Sequence, residues 1–265
     1  MPLPDDSPCP QRPPAPPPLV QTRAGRRTLE FMPGNVQSEM LLARPSALVL
    51  AYSRAIMCFV LFVPRPRHIV MVGLGGGSLA KFCYRHFPAT RITVIELRAD
   101  VIALREQFCV PPDDARFRVV HADAAEFIAS ACDSADVLVI DGFDETGLPP
   151  ALGSARFYAD CRRTLRDGGV LIANIFSYDP QYPKMLARLR LLFDERVCWL
   201  DKVAGNNRIL FAVKAPFAAV PAGPSARAVR VQQLVARRHG LGAGWLNRLA
   251  VRLLVAWLGG SGRGG

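Results

Sequence analysis

The sequence lacks a C-x-x-C pair, although it contains seven cysteines among its 265 residues. This absence excludes the usual spacing of a structural zinc site, and the odd number and apolar surroundings of the cysteines do not fit a disulfide framework. The four histidines are far apart in the chain and are interpreted as structural or surface residues. We therefore expect a cytoplasmic protein with reduced thiols and no bound metal.

The sequence also lacks an uninterrupted apolar run of membrane-spanning length. The longest candidate, residues 47–63, is 17 residues long, contains Arg54 and ends at Pro64, whereas a transmembrane helix needs about 20 apolar residues without a central charge. The N-terminus has no apolar segment of the kind found in secretory signals. We predict a buried helix capped by Ser46 and no integral membrane span. A membrane anchor is the alternative.

Acidic residues are absent from the last 51 residues, which carry seven arginines. This stretch therefore accounts for +7 of the net charge of +11, and residues 28–214 account for only +2. The tail has helical spacing and is expected to pack on its own domain or on a second copy in a homodimer, or else to touch an acidic surface or a membrane face. Nucleic-acid binding is not expected, because residues 226–260 of this tail offer only Trp245 and Trp257 for base stacking.

Prolines are concentrated at the other end, where nine of the first 18 residues are proline. This composition predicts a disordered extension. The whole chain is divided into a disordered extension (1–27), a short N-terminal segment with the buried helix (28–66), an α/β domain (67–215) and a basic helical tail (216–265).

Apolar runs alternate with helical stretches from residue 68 onward. Strands are predicted at "HIVMV", "RITVIEL", "FRVVHA", "DVLVID" and "GVLIANIF", and helices at 78–87, 99–108, 123–131 and 155–165. Near-continuous Val and Ile runs between helices are typical of a parallel sheet covered on both faces. After a further helix, "AGNN" is expected to join the last two strands as an antiparallel pair. The prediction is a doubly wound α/β domain, which binds ligands at the carboxyl ends of its strands.

The first strand is followed by "GLGGGSL", residues 73–79. Gly73, Gly75 and Gly77 allow a close backbone approach to a ligand at the start of a helix, whose free N–H groups favour an electron-rich partner. A tight strand-to-helix crossover would also explain them. The dinucleotide-binding pattern G-x-G-x-x-G is incomplete, because Ser78 replaces its last glycine.

Acidic residues follow the next three strands. Glu96 ends the second strand, where a carboxylate can accept both hydroxyls of a ribose. Asp123 ends the third, and Asp141 and Asp144 follow the fourth. Each acid taken alone could cap a helix or a turn, and Glu96 alone would also fit a nicotinamide cofactor, but four acids at the ends of three successive strands favour a ligand site.

At these residues the chain resembles the spermidine synthases, or polyamine aminopropyltransferases. The likeness extends from Phe31 to Lys214 and includes the glycine turn, "VIELRADVI", "HADAAEF", the D-x-x-D of "DGFD" and "ARFYADCRRTLRDGGVLIAN". The match is to a divergent branch. It implies a mostly parallel sheet of the S-adenosylmethionine-dependent methyltransferase type with a final antiparallel strand.

The resemblance also implies roles for individual residues. The co-substrate would be decarboxylated S-adenosylmethionine, with its aminopropyl group passed to an amine such as putrescine. The implied contacts are Glu96 to the ribose, Asp123 to the adenine, Gln37 to the donor, Asp144 to the acceptor amine and Asp141 as the catalytic carboxylate.

Two departures from the family pattern keep other functions open. The family's turn reads Gly-Gly-Gly-Asp-Gly-Gly, and its acid meets the amine of the donor's tail, whereas residues 73–78 contain no acid. In addition, Glu145 follows the D-x-x-D where the family has proline. A methyltransferase that uses intact S-adenosylmethionine and a relative without activity are therefore the alternatives.

Overall fold

The computed structural model describes residues 16–142, 148–176, 178–204 and 207–214. The predicted basic tail, Asp144 and Glu145 lie outside these residues. The strands are β1 (Leu19–Arg23), β2 (Arg26–Met32), β3 (Asn35–Leu41), β4 (His68–Val72), β5 (Arg91–Glu96), β6 (Phe117–His121), β7 (Ala135–Ile140), β8 (Leu165–Phe176), β9 (Val197–Ala204) and β10 (Asn207–Val213). The helices are α1 (Ala51–Ile56), α2 (Ser78–His86), α3 (Ala99–Ile102), α4 (Ala124–Ser130), α5 (Ala155–Thr164) and α6 (Tyr182–Leu192), with 3-10 turns at Met57–Leu61 and Pro150–Gly153.

Seven strands form one sheet in the order β6-β5-β4-β7-β8-β10-β9. The pairs from β6 to β8 are parallel, and β10 is antiparallel to both β8 and β9. The predicted doubly wound sheet with a final antiparallel strand is thus confirmed. Its strand order reverses between β4 and β7, which is where such sheets form a ligand crevice.

The two faces of this sheet bury separate apolar clusters. One face packs against α1, the 3-10 turn at Met57–Leu61 and α2, and its cluster includes Phe59, Phe62 and Phe211. The opposite face packs against α4, α5 and α6, and it includes Tyr158 and Phe193. Because both faces are covered, the central strands are apolar at nearly every position.

Polar residues at the edge where the parallel strands end lie on the first of these faces. Side chains two residues apart on a strand share a face, and Val94, Val139, Ile172 and Ile209 belong to the first cluster. The same alternation therefore brings four polar residues to that face at the strand ends: Glu96, Asp141, Asn174 and Asn207.

The first three strands form a separate antiparallel sheet in the order β1-β2-β3. Its buried residues Leu29, Phe31 and Met40 join the first cluster. Residues 19–27, which we assigned to a disordered extension, are therefore part of this sheet. The proline count determined that prediction, but the last of those prolines is Pro18, and strand β1 begins directly after it.

The helix predicted over residues 47–63 is shorter than expected and is not capped by Ser46. Helix α1 begins at Ala51 without a side-chain cap, and the Ser46 hydroxyl instead accepts from Arg85 at 3.2 Å. Arg54 turns back on residues 48 and 49 and donates to their carbonyl groups at 3.0 and 2.5 Å, so these residues do not enter the helix. Among the described residues, no helix is long and apolar enough to cross a membrane.

Truncation at two points will measure how much the N-terminal sheet contributes to stability. A chain that lacks residues 1–27 loses β1 and the start of β2, and with them the pairing from Leu19↔Glu30 to Arg23↔Arg26. We expect its melting temperature to fall by several degrees, because a loss of about 1 kcal/mol lowers it by roughly 2–4 °C in a domain of this size. A chain that lacks only residues 1–15 is the control and should melt like the parent. Equal melting temperatures for both truncations would contradict the role of β1.

Candidate active site

The glycine turn leaves β4 in left-handed backbone conformations. The φ angles of Gly73, Gly75 and Gly77 are +93°, +50° and +66°, a region that residues with a side chain rarely occupy. Gly77 then starts helix α2 without a side-chain cap. The first N–H groups of this helix therefore receive no bond from a capping side chain, and an electron-rich ligand could accept from them.

Gly73 is also in close contact with the end of β7. A Cβ atom at this position would lie 2.5 Å from the carbonyl oxygen of Asp141, and such a separation is not tolerated. The two strands are joined there by a hydrogen bond of 3.0 Å from the Asp141 N–H to the Val72 carbonyl. The glycine turn and the predicted catalytic carboxylate are consequently neighbours at the switch point of the sheet.

Glu96 supports the glycine turn from the end of β5. Its Oε2 accepts from the N–H of Leu74 at 2.8 Å, and its Oε1 accepts from the N–H of Arg98 at 2.9 Å. Each carboxylate oxygen has a second lone pair, so both oxygens can also accept from a ribose hydroxyl. The residue is buried and is held in place for such a contact.

Asp123 caps helix α4. Its Oδ1 accepts from the N–H groups of Ala125 and Glu126 at 2.6 and 3.3 Å, so the helix-cap interpretation of this acid is correct. Both bonds are made to one oxygen, which leaves Oδ2 for a ligand amino group. The residue is exposed and lies beside Glu96, because β5 and β6 are paired at Glu96↔His121.

Asp141 is held by polar side chains from two other elements. Its Oδ1 accepts from Asn174 Nδ2 at 2.8 Å, and Asn174 in turn accepts from Asn207 at 2.9 Å. The Tyr52 hydroxyl also hydrogen-bonds to the Asp141 carboxyl group. Burial raises the pKa of Asp141 to about 7, against the opposing effect of the hydrogen bonds from Asn174 and Tyr52.

Comparisons with known proteins agree with this geometry. A family model described as the spermine/spermidine synthase domain matches residues 49–185. A polyamine aminopropyltransferase of Neisseria meningitidis is 38% identical over 188 residues, which cover 70% of this chain and 72% of the relative. The chain belongs to the spermine/spermidine synthase family. The relationship predicted from the sequence is therefore confirmed.

Solved structures of this family and of a methyltransferase share the fold. A probable spermidine synthase from Corynebacterium glutamicum superposes with a TM-score of 0.67 at 21% identity, covering 90% of each chain. Human methyltransferase-like protein 13, in a complex with SAH, superposes with a TM-score of 0.57 at 23% identity, covering 74% of this chain and 96% of the other. At identities this low, the superpositions establish the architecture alone. It is the one predicted from the sequence, a sheet of the methyltransferase type.

Three side chains around the Asp141 carboxylate of this protein were not predicted from the sequence. Tyr52 lies within the apolar stretch that we interpreted as a core helix, where a tyrosine is unremarkable. Asn174 follows the apolar run of β8, and Asn207 lies in the link that was assigned to a turn. Asparagine at the end of a buried strand was the available signal for Asn174, because an amide there needs a polar partner.

Gln37 lies close to this network through its backbone. Its carbonyl oxygen accepts from the Tyr52 hydroxyl at 3.2 Å, so Tyr52 has one hydrogen and two acceptors, Gln37 and Asp141. When Asp141 is protonated, it can donate to the Tyr52 oxygen while Tyr52 donates to Gln37. The contact of the Gln37 side chain with the donor stays a prediction. Asp144 lies outside the described residues.

The hydrogen bond from Tyr52 can be tested through the protonation of Asp141. Tyr52→Phe removes a donor to the ionised carboxylate, so the pKa of Asp141 should rise by about one unit, as expected for loss of a bond to a charged group. The measurement is a pH titration of carboxyl carbon shifts by NMR. Tyr84→Phe is the matched control, because Tyr84 donates to Asp114 at 2.8 Å; it should raise the pKa of Asp114 alone. An unchanged pKa of Asp141 in Tyr52→Phe would contradict the assigned bond.

Proposed function

We propose that this member of the spermine/spermidine synthase family transfers an aminopropyl group from decarboxylated S-adenosylmethionine to an amine such as putrescine. The observation that carries the proposal is the position of Asp141 at the switch point, next to the glycine turn and in hydrogen-bond contact with Asn174 and Tyr52. A nucleoside held by Glu96 and Asp123 at β5 and β6 would extend across β4 toward this carboxylate. Donor and acceptor would then meet in front of Asp141.

The reaction requires an amine without its proton. An alkylamine with a pKa of ~10.4 is neutral in about one molecule in 2,500 at pH 7. The usual carboxyl pKa of ~3.9 would make aspartate a weak base for this task. A pKa of about 7 for Asp141 reduces the difference between its pKa and that of the ammonium group by about three units. A general base also works best when its pKa is near the operating pH.

The bond changes balance without a metal or an external acid. The amine nitrogen forms a bond to the carbon next to the sulfonium, and the carbon–sulfur bond breaks with its electron pair going to sulfur. The nitrogen loses a proton, which Asp141 accepts directly or through water. The sulfur leaves as a neutral thioether. The bond from Asn174 to Oδ1 orients the carboxyl group so that its other oxygen can face the amine.

Asp144 is proposed to bind the far, charged nitrogen of a diamine. A carboxylate three residues beyond the base would fix the reach of the acceptor through a charge-assisted hydrogen bond. Gln37 is proposed to contact the donor. We also propose that the protein is cytoplasmic, that it forms a homodimer and that it has no nucleic-acid partner.

A methyltransferase that uses intact S-adenosylmethionine is the second candidate. The observation that favours it is the composition of the turn, because Gly76 stands where the spermidine synthase pattern has the aspartate that meets the donor's amine. Parallel calorimetric titrations with the decarboxylated and the intact donor distinguish the two functions. Tighter binding of the intact form would favour methyl transfer.

Asp141→Asn is the most direct test of the catalytic proposal. We expect turnover with putrescine and the decarboxylated donor to fall by ~10²–10⁴, the usual cost of losing a general base. Methylthioadenosine binding should stay near that of the parent, because the asparagine keeps the shape of the side chain. Undiminished turnover would remove Asp141 from the mechanism.

The same substitution should raise stability at neutral and higher pH while it lowers turnover. This contrast serves as its internal control. The pKa of Asp141 is higher in the folded protein, at about 7, than the ~3.9 of an unfolded chain. Between these values the folded state binds the extra proton, so stability falls as pH rises through the window. The asparagine resembles the protonated acid. Its denaturant midpoint should therefore exceed that of the parent most at pH 8, by less at pH 5, and approach it only below about pH 4.

Glu96→Gln tests the nucleoside site. Replacing the carboxylate weakens charge-assisted bonds to the ribose, and we expect methylthioadenosine to bind about tenfold less tightly by calorimetry. Glu126→Gln is the matched control, because Glu126 is an exposed acid in the first turn of α4. Equal affinity in the two variants would contradict the assignment of Glu96.

A further inference from the structure

Two side chains from outside the glycine turn fill the space beside Gly76. A Cβ atom at Gly76 would lie 2.6 Å from Ser38 Oγ and 2.8 Å from Phe108 Cδ1. Position 76 is where the spermidine synthase pattern has its aspartate. The room that such an acid would need is therefore occupied by a hydroxyl group and an aromatic ring.

The backbone that carries these two neighbours is held by contacts of a lysine. Lys81, in helix α2, donates from Nζ to the carbonyl of Phe108 at 2.6 Å and contacts the sulfur of Met40 at 3.1 Å. These contacts tie the helix after the turn to β3 and to the loop that carries Phe108. Ser38 lies two residues before Met40 on the same strand, and both residues are buried.

Ser38 also forms a hydroxyl pair with Ser78. Their Oγ atoms are 3.1 Å apart, on either side of the turn. Two hydroxyls together have two donors and four acceptor positions, and the mutual bond uses one of each. Three acceptor positions are left at this point, which suits a group with several N–H donors such as an ammonium group.

The pair lies next to the site of reaction. Ser38 follows Gln37, whose carbonyl accepts from Tyr52 at 3.2 Å, and Tyr52 contacts Asp141. Strand β3 thus runs from the carboxylate to the glycine turn. A donor whose sulfonium stands in front of Asp141 would have the tail end of its propyl chain within this region.

We propose that the hydroxyls of Ser38 and Ser78 bind the terminal amine of the donor's tail. They would take the place of the aspartate in the family pattern. This inference rests on the proposed function and adds the residues that recognise the donor. Because hydroxyls are neutral, they distinguish an amine from an amine paired with a carboxylate less strongly than an acid would.

Calorimetry on the full chain with two ligands tests the proposal. Decarboxylated S-adenosylmethionine has the tail amine, and methylthioadenosine keeps the nucleoside and the sulfur without it. For Ser38→Ala and Ser78→Ala we expect about tenfold weaker binding of the first ligand, the cost of one hydrogen bond to a charged group, and unchanged binding of the second. Ser78→Thr keeps the hydroxyl and should bind both like the parent.

The outcomes separate this inference from the function on which it rests. Equal loss of both ligands in the alanine variants would mean that the hydroxyl pair only shapes the turn, and it would overturn the inference. Unchanged binding of both ligands would overturn it as well, while leaving the proposed function intact. Failure of the parent to bind either ligand would instead overturn the proposed function together with the inference.

Discussion

The close approach of Gly73 to the backbone of Asp141 is the constraint on which the site depends. With 2.5 Å between a would-be Cβ and the Asp141 carbonyl, only glycine lets β4 and β7 end side by side at the switch point. The order of the strands then determines where the other residues of the site lie. The carboxylate of Glu96 lies on one side of the turn, and Asn174 lies on the other, one strand beyond Asp141. The separation of Glu96 from Asp141 is thus determined by the order of the strands.

Burial and hydrogen bonding act in opposite directions on the pKa of Asp141. Desolvation disfavours the charged carboxylate, and the donors Asn174 and Tyr52 favour it. The net result is a carboxyl group poised near neutrality at a cost in stability. This cost is the kind that functional sites retain, since a fully solvated aspartate would be stable and nearly inert as a base toward an ammonium group.

Much of the fold could be predicted because buried parallel strands have a simple signature. Strand β4 coincides with "HIVMV", and the bounds of β5 to β7 differ from the predicted ones by one residue at each end or less. Helix α3 was predicted to reach residue 108 but ends at Ile102, and the cap at Ser46 was wrong. The hydroxyl of Ser46 is instead bound by Arg85, 39 residues later, a tertiary contact that local sequence does not specify.

The site was harder to predict than the fold. Its acids could be recognised because they end strands, but Tyr52 reaches Asp141 across 89 positions of sequence and looked like a core residue. Asp123 illustrates a different limit. Its helix-capping bonds are made through one oxygen, so the structural and functional readings of this acid are compatible, and no local pattern could have separated them.

The antiparallel direction of β10 has a consequence for how this enzyme can vary. Because β10 runs opposite to its neighbours, it enters the sheet at the edge that holds Asp141, and the side chain of its first residue, Asn207, donates a hydrogen bond to Asn174. The register with β9 already shifts between Asn207 and Ile209. Side chains alternate along a strand, so inserting or deleting one residue there would turn the bulky cation Arg208 toward the carboxylate. Insertions and deletions at the start of β10, between Asn207 and Ile209, should therefore be selected against.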